Sequence, residues 1–152
     1  MKHICITLIA LLLAPLTALH AATSARDTDW FVHLVDVAPD GCSEMLCEGL
    51  MRARHRDPAR NGAFNPDKLS TIELGEIYEY TIDFWPATGN AVAKGHRIRV
   101  EIMSSYFPLS LPNLNSGADN IGLETTTVAA QQKIFHSAKN PSHIVLPLIP
   151  RR

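Results

Sequence analysis

The sequence has no excess of basic residues, few charged residues and only three cysteines. Its 152 residues include 14 Lys and Arg against 15 Asp and Glu, which gives a formal net charge of −1. Proteins that bind a nucleic-acid duplex normally carry a basic surface, so we expect no nucleic-acid partner. Charged residues make up 19% and hydrophobic residues 46%, which argues against disorder and against a coiled coil. Three cysteines are too few to build a small disulfide scaffold.

The sequence also lacks the short motifs that mark common catalytic and metal sites. No G-x-S-x-G is present, and no H-E-x-x-H or paired C-x-x-C spacing groups the seven histidines into a metal site. Ser104 and Ser105 could be combined on paper with His96 and a carboxylate, but no sharp turn exposes either serine. We therefore predict no catalytic, cofactor-binding or metal-binding residues in this chain.

The first 25 residues have the pattern of a secretory signal peptide. A short basic start at Met1-Lys2-His3 precedes a nearly apolar run from Ile4 to Leu19, and small residues follow it. We predict a signal peptide over residues 1–21 and a secreted or periplasmic protein that has no membrane contact after cleavage. The run is short for a membrane span, which needs about 20 residues. The alternative interpretation is that these residues form a buried strand.

From Ala25 onward the hydrophobic pattern repeats every two residues, which is typical of β-strands. Residues 76–85 and 96–104 alternate apolar and polar side chains, and this alternation places Ile82 and Val100 toward the core. Residues 30–37 are apolar on both faces, as in a strand that is covered on two sides. The pattern predicts an antiparallel β-sandwich with strands near Trp30–Val37, Gly49–Arg56, Glu76–Trp85, Arg97–Ser104, Val128–Phe135 and Ser142–Leu146.

Two further features of the sequence bear on function: a long loop and a group of arginines on two of the predicted strands. Residues 107–120 hold two prolines, three asparagines and a glycine, and loops of this length tend to be functional or mobile. Alternation predicts a basic sheet face that pairs with acidic side chains of neighbouring strands. The alternative is contact between this face and a partner domain or an anion. The arginines concerned are Arg52, Arg54, Arg56, Arg97 and Arg99.

Cys42 and Cys47 are the two cysteines that remain after removal of the predicted signal peptide. In an oxidising compartment they could close a small loop as a disulfide. Residues five apart on a straight strand point to opposite faces, so this bridge requires a bend or a bulge. The two alternatives are a Cys42–Cys47 disulfide and two separate thiols.

Several strings along the chain together resemble one known family. They lie at residues 27–37, 39–41, 49–54, 75–86, 94–99, 107–108, 113–117, 141–143 and 146–147. The family is the C-terminal non-catalytic domain of X-Pro dipeptidyl-peptidases and cocaine-esterase-like (CocE/NonD) serine hydrolases. The resemblance extends from about Ala18 to Pro150. It implies an all-β fold, a jelly-roll (galactose-binding-like) β-sandwich over residues 22–150, whose first strand begins at about residue 18 and overlaps the signal segment.

The resemblance also implies where the chemistry of such a protein lies. Members of the family hydrolyse acyl or X-Pro peptide bonds with a Ser-Asp-His triad in an α/β-hydrolase domain N-terminal to this module, and no part of this chain corresponds to that domain. The expected role is an accessory domain, inactive alone, that packs on the missing α/β-hydrolase domain and helps to shape its substrate pocket. The alternative is a free-standing secreted β-sandwich module that binds carbohydrate or protein.

Overall fold

The computed structural model describes residues 6–7, 16–56, 69–86, 89–118 and 123–147. Apart from a single turn of 3-10 helix at Ala53–His55, the regular structure of these residues is β-strand. The strands are β1 (Ile6–Thr7), β2 (Leu16–Thr23), β3 (Asp29–Val37), β4 (Ser43–Arg52), β5 (Tyr78–Asp83), β6 (Ala91–Val92), β7 (Arg97–Met103), β8 (Gln132–Ile134) and β9 (His143–Ile144).

Two antiparallel sheets form the body of the domain. In the first sheet β2 is central, with β5 on one side and both β8 and β9 on the other. In the second sheet β3 lies between β4 and β7. The strands β1 and β6 form a separate antiparallel pair. The predicted all-β class with antiparallel strands is confirmed.

The core lies between these two sheets and is built by the alternation of side chains along each strand. Leu19 of β2 and Ile82 of β5 lie in the same buried cluster as Val32 and the other inward residues of β3. The rings of Trp30 and Tyr80 connect the two sheets, with their centroids 5.7 Å apart. The prediction that Ile82 is buried is confirmed, since its side chain is inaccessible to solvent. The strand β3 is covered on both faces, as its sequence predicts.

All six predicted strands differ in extent from the observed ones: four differ by a few residues, and the strands predicted for 49–56 and 128–135 differ most. The strand predicted for 49–56 begins earlier, at Ser43, and ends at Arg52, because the chain then bends into the 3-10 turn. In that turn the amide of Ala53 donates a hydrogen bond to the carbonyl of Thr28, and Ala53 is fully buried. The strand predicted for 128–135 shrinks to β8. The amide of Val128 is instead bonded to the carbonyl of Leu114, which lies outside either sheet.

The prediction that Val100 is buried is wrong, although its face is as expected. Val100 lies opposite Leu34, whose side chain points into the core. Val100 is nevertheless 39% exposed, because β7 is an edge strand of the second sheet and only Ile102 near its end packs against the core.

The end of the predicted signal segment lies in β2. The strand implied from about residue 18 is present and begins at Leu16, and Ala18, Leu19, Ala21 and Ala22 are buried. Apart from Ile6–Thr7, the earlier residues of the predicted signal peptide lie outside the described residues. No helix within the described ranges is long and apolar enough to cross a membrane.

Candidate functional site

The second sheet has one side that faces away from the core, which we call the outer face. Opposite residues of antiparallel strands share a face, so the pairing of β3 assigns the members from β4 and β7. A bulge in β4, opposite Leu34 and Val35, places both Met45 and Glu48 on this side. The outer face contains Asp29, Phe31, His33, Val35 and Val37 of β3, Met45, Glu48, Leu50 and Arg52 of β4, and Arg97, Arg99, Glu101 and Met103 of β7.

The loop that follows β7 crosses this outer face. The ring of Tyr106 lies edge-on to His33, with centroids 4.6 Å apart, and is tilted against Phe31 at 5.7 Å. The Tyr106 hydroxyl is 3.9 Å from Met45 Sδ. Phe31 and His33 are therefore buried although they point away from the core.

The same loop is held at its other end by polar contacts. The side-chain amide of Asn113 donates a hydrogen bond to Asp29 Oδ1 at 2.8 Å. Arg54 Nη1 donates to the carbonyl of Gly117 at 2.9 Å. The amide of Val128 donates to the carbonyl of Leu114 at 2.8 Å. The described part of the predicted functional loop is thus fixed to the sandwich from Tyr106 to Gly117.

Large apolar side chains on and beside this loop are exposed. Trp85 joins the outer face because its backbone pairs with Glu48, with N···O distances of 2.7 and 3.1 Å in the two directions. Large patches of exposed apolar side chains are unusual on a monomer and mark interaction sites. We call the set the apolar patch: Met45, Leu50, Trp85, Phe107, Leu109 and Leu111, with exposures of 47%, 46%, 61%, 68%, 75% and 73%.

A buried ionic cluster lies at the end of the outer face where the loop is held. Arg52 Nε is 2.9 Å from Asp27 Oδ2 and 3.4 Å from Asp29 Oδ1. Burial raises the pKa of Asp29, while the hydrogen bond from Asn113 and the charge of Arg52 act to lower it. The cluster fixes the loop and the start of β3 relative to each other.

The prediction that the five arginines form one basic sheet face is only partly right, because Arg52, Arg97 and Arg99 share the outer face whereas Arg54 and Arg56 lie beyond the end of β4. Arg52 is in the buried cluster, Arg54 binds the loop, and the Arg56 guanidinium lies 3.9 Å from the centroid of the Tyr78 ring. The strand ends at Arg52, so alternation does not extend to Arg54 and Arg56. Arg99 pairs with Glu101 of its own strand at 2.6 Å.

The structure shows two separate thiols rather than a Cys42–Cys47 disulfide. Cys42 is exposed in the turn before β4, whereas Cys47 is buried on the core side of β4 opposite Leu34. The bulge falls at this part of the strand, but it does not turn the two side chains toward each other. Burial raises the pKa of the Cys47 thiol to about 11.

The serines and the histidine considered for a Ser-His-Asp triad do not lie close together in the structure. His96 precedes β7 and its Nδ1 is 3.0 Å from Asp36 Oδ1, whereas Ser104 and Ser105 follow the other end of β7. Seven strand residues separate His96 from Ser104, a span of roughly 26 Å at the usual rise. Within the described parts of the chain, no group of three or more His, Cys, Asp or Glu could hold a metal ion.

Comparison with known proteins assigns the family. The family of the X-Pro dipeptidyl-peptidase C-terminal non-catalytic domain matches residues 14–145. The chain belongs to this family. It is similar to a cocaine esterase of Rhodococcus sp. (strain MB1 Bresler), with 42% identity over 135 residues that make up 88% of this chain and 22% of the esterase.

Solved structures of larger hydrolases contain the same fold. An aminopeptidase from a marine sediment Thaumarchaeota archaeon matches with a TM-score of 0.79 and 26% identity, over 97% of this chain and 23% of that one. An α-amino acid ester hydrolase matches with a TM-score of 0.76 and 26% identity, over 95% and 24%. The chain therefore spans less than a third of the length of these relatives.

Proposed function

We propose that this chain acts as the accessory domain of a serine hydrolase, that it packs on an α/β-hydrolase domain and that it helps to shape the substrate pocket there. The observation that carries the proposal is the family match over residues 14–145 combined with the 22% share of the matched esterase. A domain that makes up a fifth of a hydrolase and is described as non-catalytic serves that enzyme by contact rather than by chemistry.

The loop from Tyr106 to Gly117 supports a role at the pocket. A wall of a substrate pocket has to be held in one geometry by packing and hydrogen bonds. This loop is held by Tyr106 on the sheet and by Asn113 on Asp29. Between these points it exposes Phe107, Leu109 and Leu111. Such side chains could line the acyl side of a pocket, since pockets are lined mainly by apolar groups.

The test is a chimera in which residues 14–145 replace the matching segment of the Rhodococcus cocaine esterase. We expect a soluble, active esterase whose ratio of kcat/KM values for short and long p-nitrophenyl esters differs from that of the parent. A parent enzyme that lacks the segment is the control, and it should lose most of its activity. An inactive chimera would contradict the accessory role, and an unchanged ratio would contradict the role at the pocket.

The alternative hypothesis, a free-standing module that binds carbohydrate or protein, is tested by binding experiments on the chain alone. Saturable binding of a glycan in an array, combined with an inactive chimera, would favour that module over the accessory domain. The secreted or periplasmic location stays a prediction, and it is tested by fractionation of cells that express the chain.

A further inference from the structure

We propose that the apolar patch is the surface on which the α/β-hydrolase domain docks, with Trp85 at one border and the loop segment Phe107–Leu111 at the other. This inference rests on the proposed accessory function and adds to it the face that makes the contact.

Paired backbones and a ring contact connect the two borders of the patch across the outer face. Trp85 pairs with Glu48, and Glu48 pairs with His33 on the next strand. Neighbouring strands lie about 4.8 Å apart, so the Trp85 and His33 backbones are about 10 Å apart. Tyr106 then packs on His33, and Phe107 follows it directly. The borders of the patch therefore belong to one surface rather than to separate turns.

The composition of the patch fits the centre of an interface. Interface centres are rich in aromatic residues and Met and poor in charge, which is the character of Trp85, Phe107 and Met45. The side chains in the patch are between 46% and 75% exposed, a state that leaves much apolar surface in water.

The part of a full-length relative that precedes this domain identifies the partner that covers the apolar patch. The family is described as a C-terminal domain, so the remainder of a full-length relative precedes the matched residues. The preceding chain would reach β2 through β1, which pairs with β6, and the first residue of β2, Leu16, pairs with Asp83. Asp83 and β6 flank Trp85 in the sequence, so the preceding chain would arrive on the side of the Trp85 border of the patch. A second copy of this chain would have no such connection.

A matched control residue lies at the far end of β2. Leu74 is 60% exposed, close to the 61% of Trp85. It lies in the turn where the Gly75 amide donates to the carbonyl of Thr23, the last residue of β2. A charged side chain at Leu74 therefore measures the effect of a charge at an equally exposed position that lies outside the docking face.

The experiment places Trp85→Glu, Leu109→Glu and Leu74→Glu in both the isolated chain and the cocaine esterase chimera. In the isolated chain all three variants should unfold within a few degrees of the unmodified chain, since each side chain is exposed. In the chimera, Trp85→Glu and Leu109→Glu should each reduce the fraction of the initial, unheated activity that survives heating by about tenfold or more, because an unpaired charge in an interface is costly. Normalising to the unheated activity separates a loss of docking from a change in the substrate pocket. Leu74→Glu should behave as the unmodified chimera.

The outcomes separate the docking face from the proposed function. An active chimera in which all three variants match the unmodified form overturns the docking face and leaves the accessory role intact. A chimera that is inactive with the unmodified chain overturns both. Sedimentation of the isolated chain adds one more test: a dimer that Leu109→Glu dissociates would show that the patch binds a second copy, which also overturns the proposal.

Discussion

Arg52 and Asp27 form a buried ion pair, with Arg52 Nε 2.9 Å from Asp27 Oδ2 and only 3% of the Asp27 side chain exposed. The pair joins the last residue of β4 to the segment that precedes β3. Asp29 and Asn113 extend it to the loop on the outer face. The cluster thus links the core of the second sheet to the segment that we propose makes contact with the hydrolase domain.

Loss of one partner of this pair should destabilise the domain strongly. Arg52→Met leaves two carboxylates without their cation in a buried site, and such a change typically costs about 3–5 kcal/mol of the free energy of unfolding. Urea unfolding monitored by tryptophan fluorescence gives this value. The matched control is Arg99→Met, because Arg99 pairs with Glu101 but is 47% exposed, and we expect a loss of about 1 kcal/mol or less. Equal losses would contradict the assigned difference in burial.

Ile82 and Val100 should differ sharply in their tolerance of charge, although the sequence predicts both to be buried. Ile82→Asp places a carboxylate in the core, which typically costs several kcal/mol against a total stability of about 5–15 kcal/mol, so we expect an unfolded chain. Val100→Asp should remain folded, because Val100 is 39% exposed on an edge strand. Circular dichroism of the two purified variants measures the outcome, and unfolding of both would show that the β7 edge is covered in solution.

Features that depend only on neighbouring residues could be predicted from the sequence, whereas features that depend on contacts between distant residues could not. Alternation over two residues predicted β3, β5 and β7 closely, because side-chain alternation is a property of the strand itself. It did not predict that Val100 is exposed, because that depends on which strand is at the sheet edge. At the end of β4, Arg52 pairs with Asp27 and the Ala53 amide bonds to Thr28, and no local pattern carries contacts between residues 25 positions apart.

The apolar patch could be inferred only in part from the sequence. The length and composition of the loop at 107–120 predict a functional or mobile segment. Met45 is not predicted, because it precedes the strand predicted from Gly49 and the bulge in β4 sets the side on which it lies. Leu50 shares a face with Arg52 in the predicted strand, but alternation does not tell that this face is the outer one. Trp85 was assigned to a strand, and its exposure depends on the isolated pairing with Glu48. A run of apolar residues at positions that alternate outward is the signal that could have indicated such a face.

Removal of residues 1–21 should prevent folding. The shortened chain, residues 22–152, is the one that cleavage of the predicted signal peptide would produce. This truncation takes away Leu16–Ala21, which supply every pairing between β2 and β5, and it removes Leu19 from the core. A truncation of residues 1–15 leaves β2 whole and is the control. Proton NMR spectra of the two truncated chains distinguish a dispersed, folded domain from an unfolded one. A folded 22–152 chain would contradict the central role of β2.

The two described thiols should differ in reactivity. In a Cys5→Ser background at pH 8, Cys42 should react with a disulfide reagent within minutes, whereas Cys47 should react only on unfolding. Cys47 is buried, and its pKa is raised to about 11 from the ordinary 9.0, so little thiolate forms. If the folded chain released two equivalents of the reagent's thiolate, both cysteines would be accessible, and the burial of Cys47 would be contradicted.

The raised pKa of Cys47 also sets a direction for the dependence of stability on pH. Between about pH 9 and 11 the unfolded chain loses the Cys47 proton while the folded chain keeps it. The folded state then binds more protons, so the free energy of unfolding should fall as the pH rises through this window. A Cys47→Ala variant should show a smaller fall than the unmodified chain over the same range, measured by urea unfolding at each pH.

The purified chain should not hydrolyse p-nitrophenyl esters or X-Pro dipeptide substrates above the buffer rate. Acyl transfer by a serine needs a base within hydrogen-bond reach and donors for the oxyanion. His96 is bound to Asp36 at one end of β7, and Ser104 and Ser105 lie at the other end. A fluorophosphonate probe should therefore leave the chain unlabelled, whereas the intact Rhodococcus cocaine esterase, the positive control, should be labelled. Stoichiometric labelling that Ser104→Ala or Ser105→Ala abolishes would show that the chain carries its own nucleophile and would overturn the non-catalytic assignment.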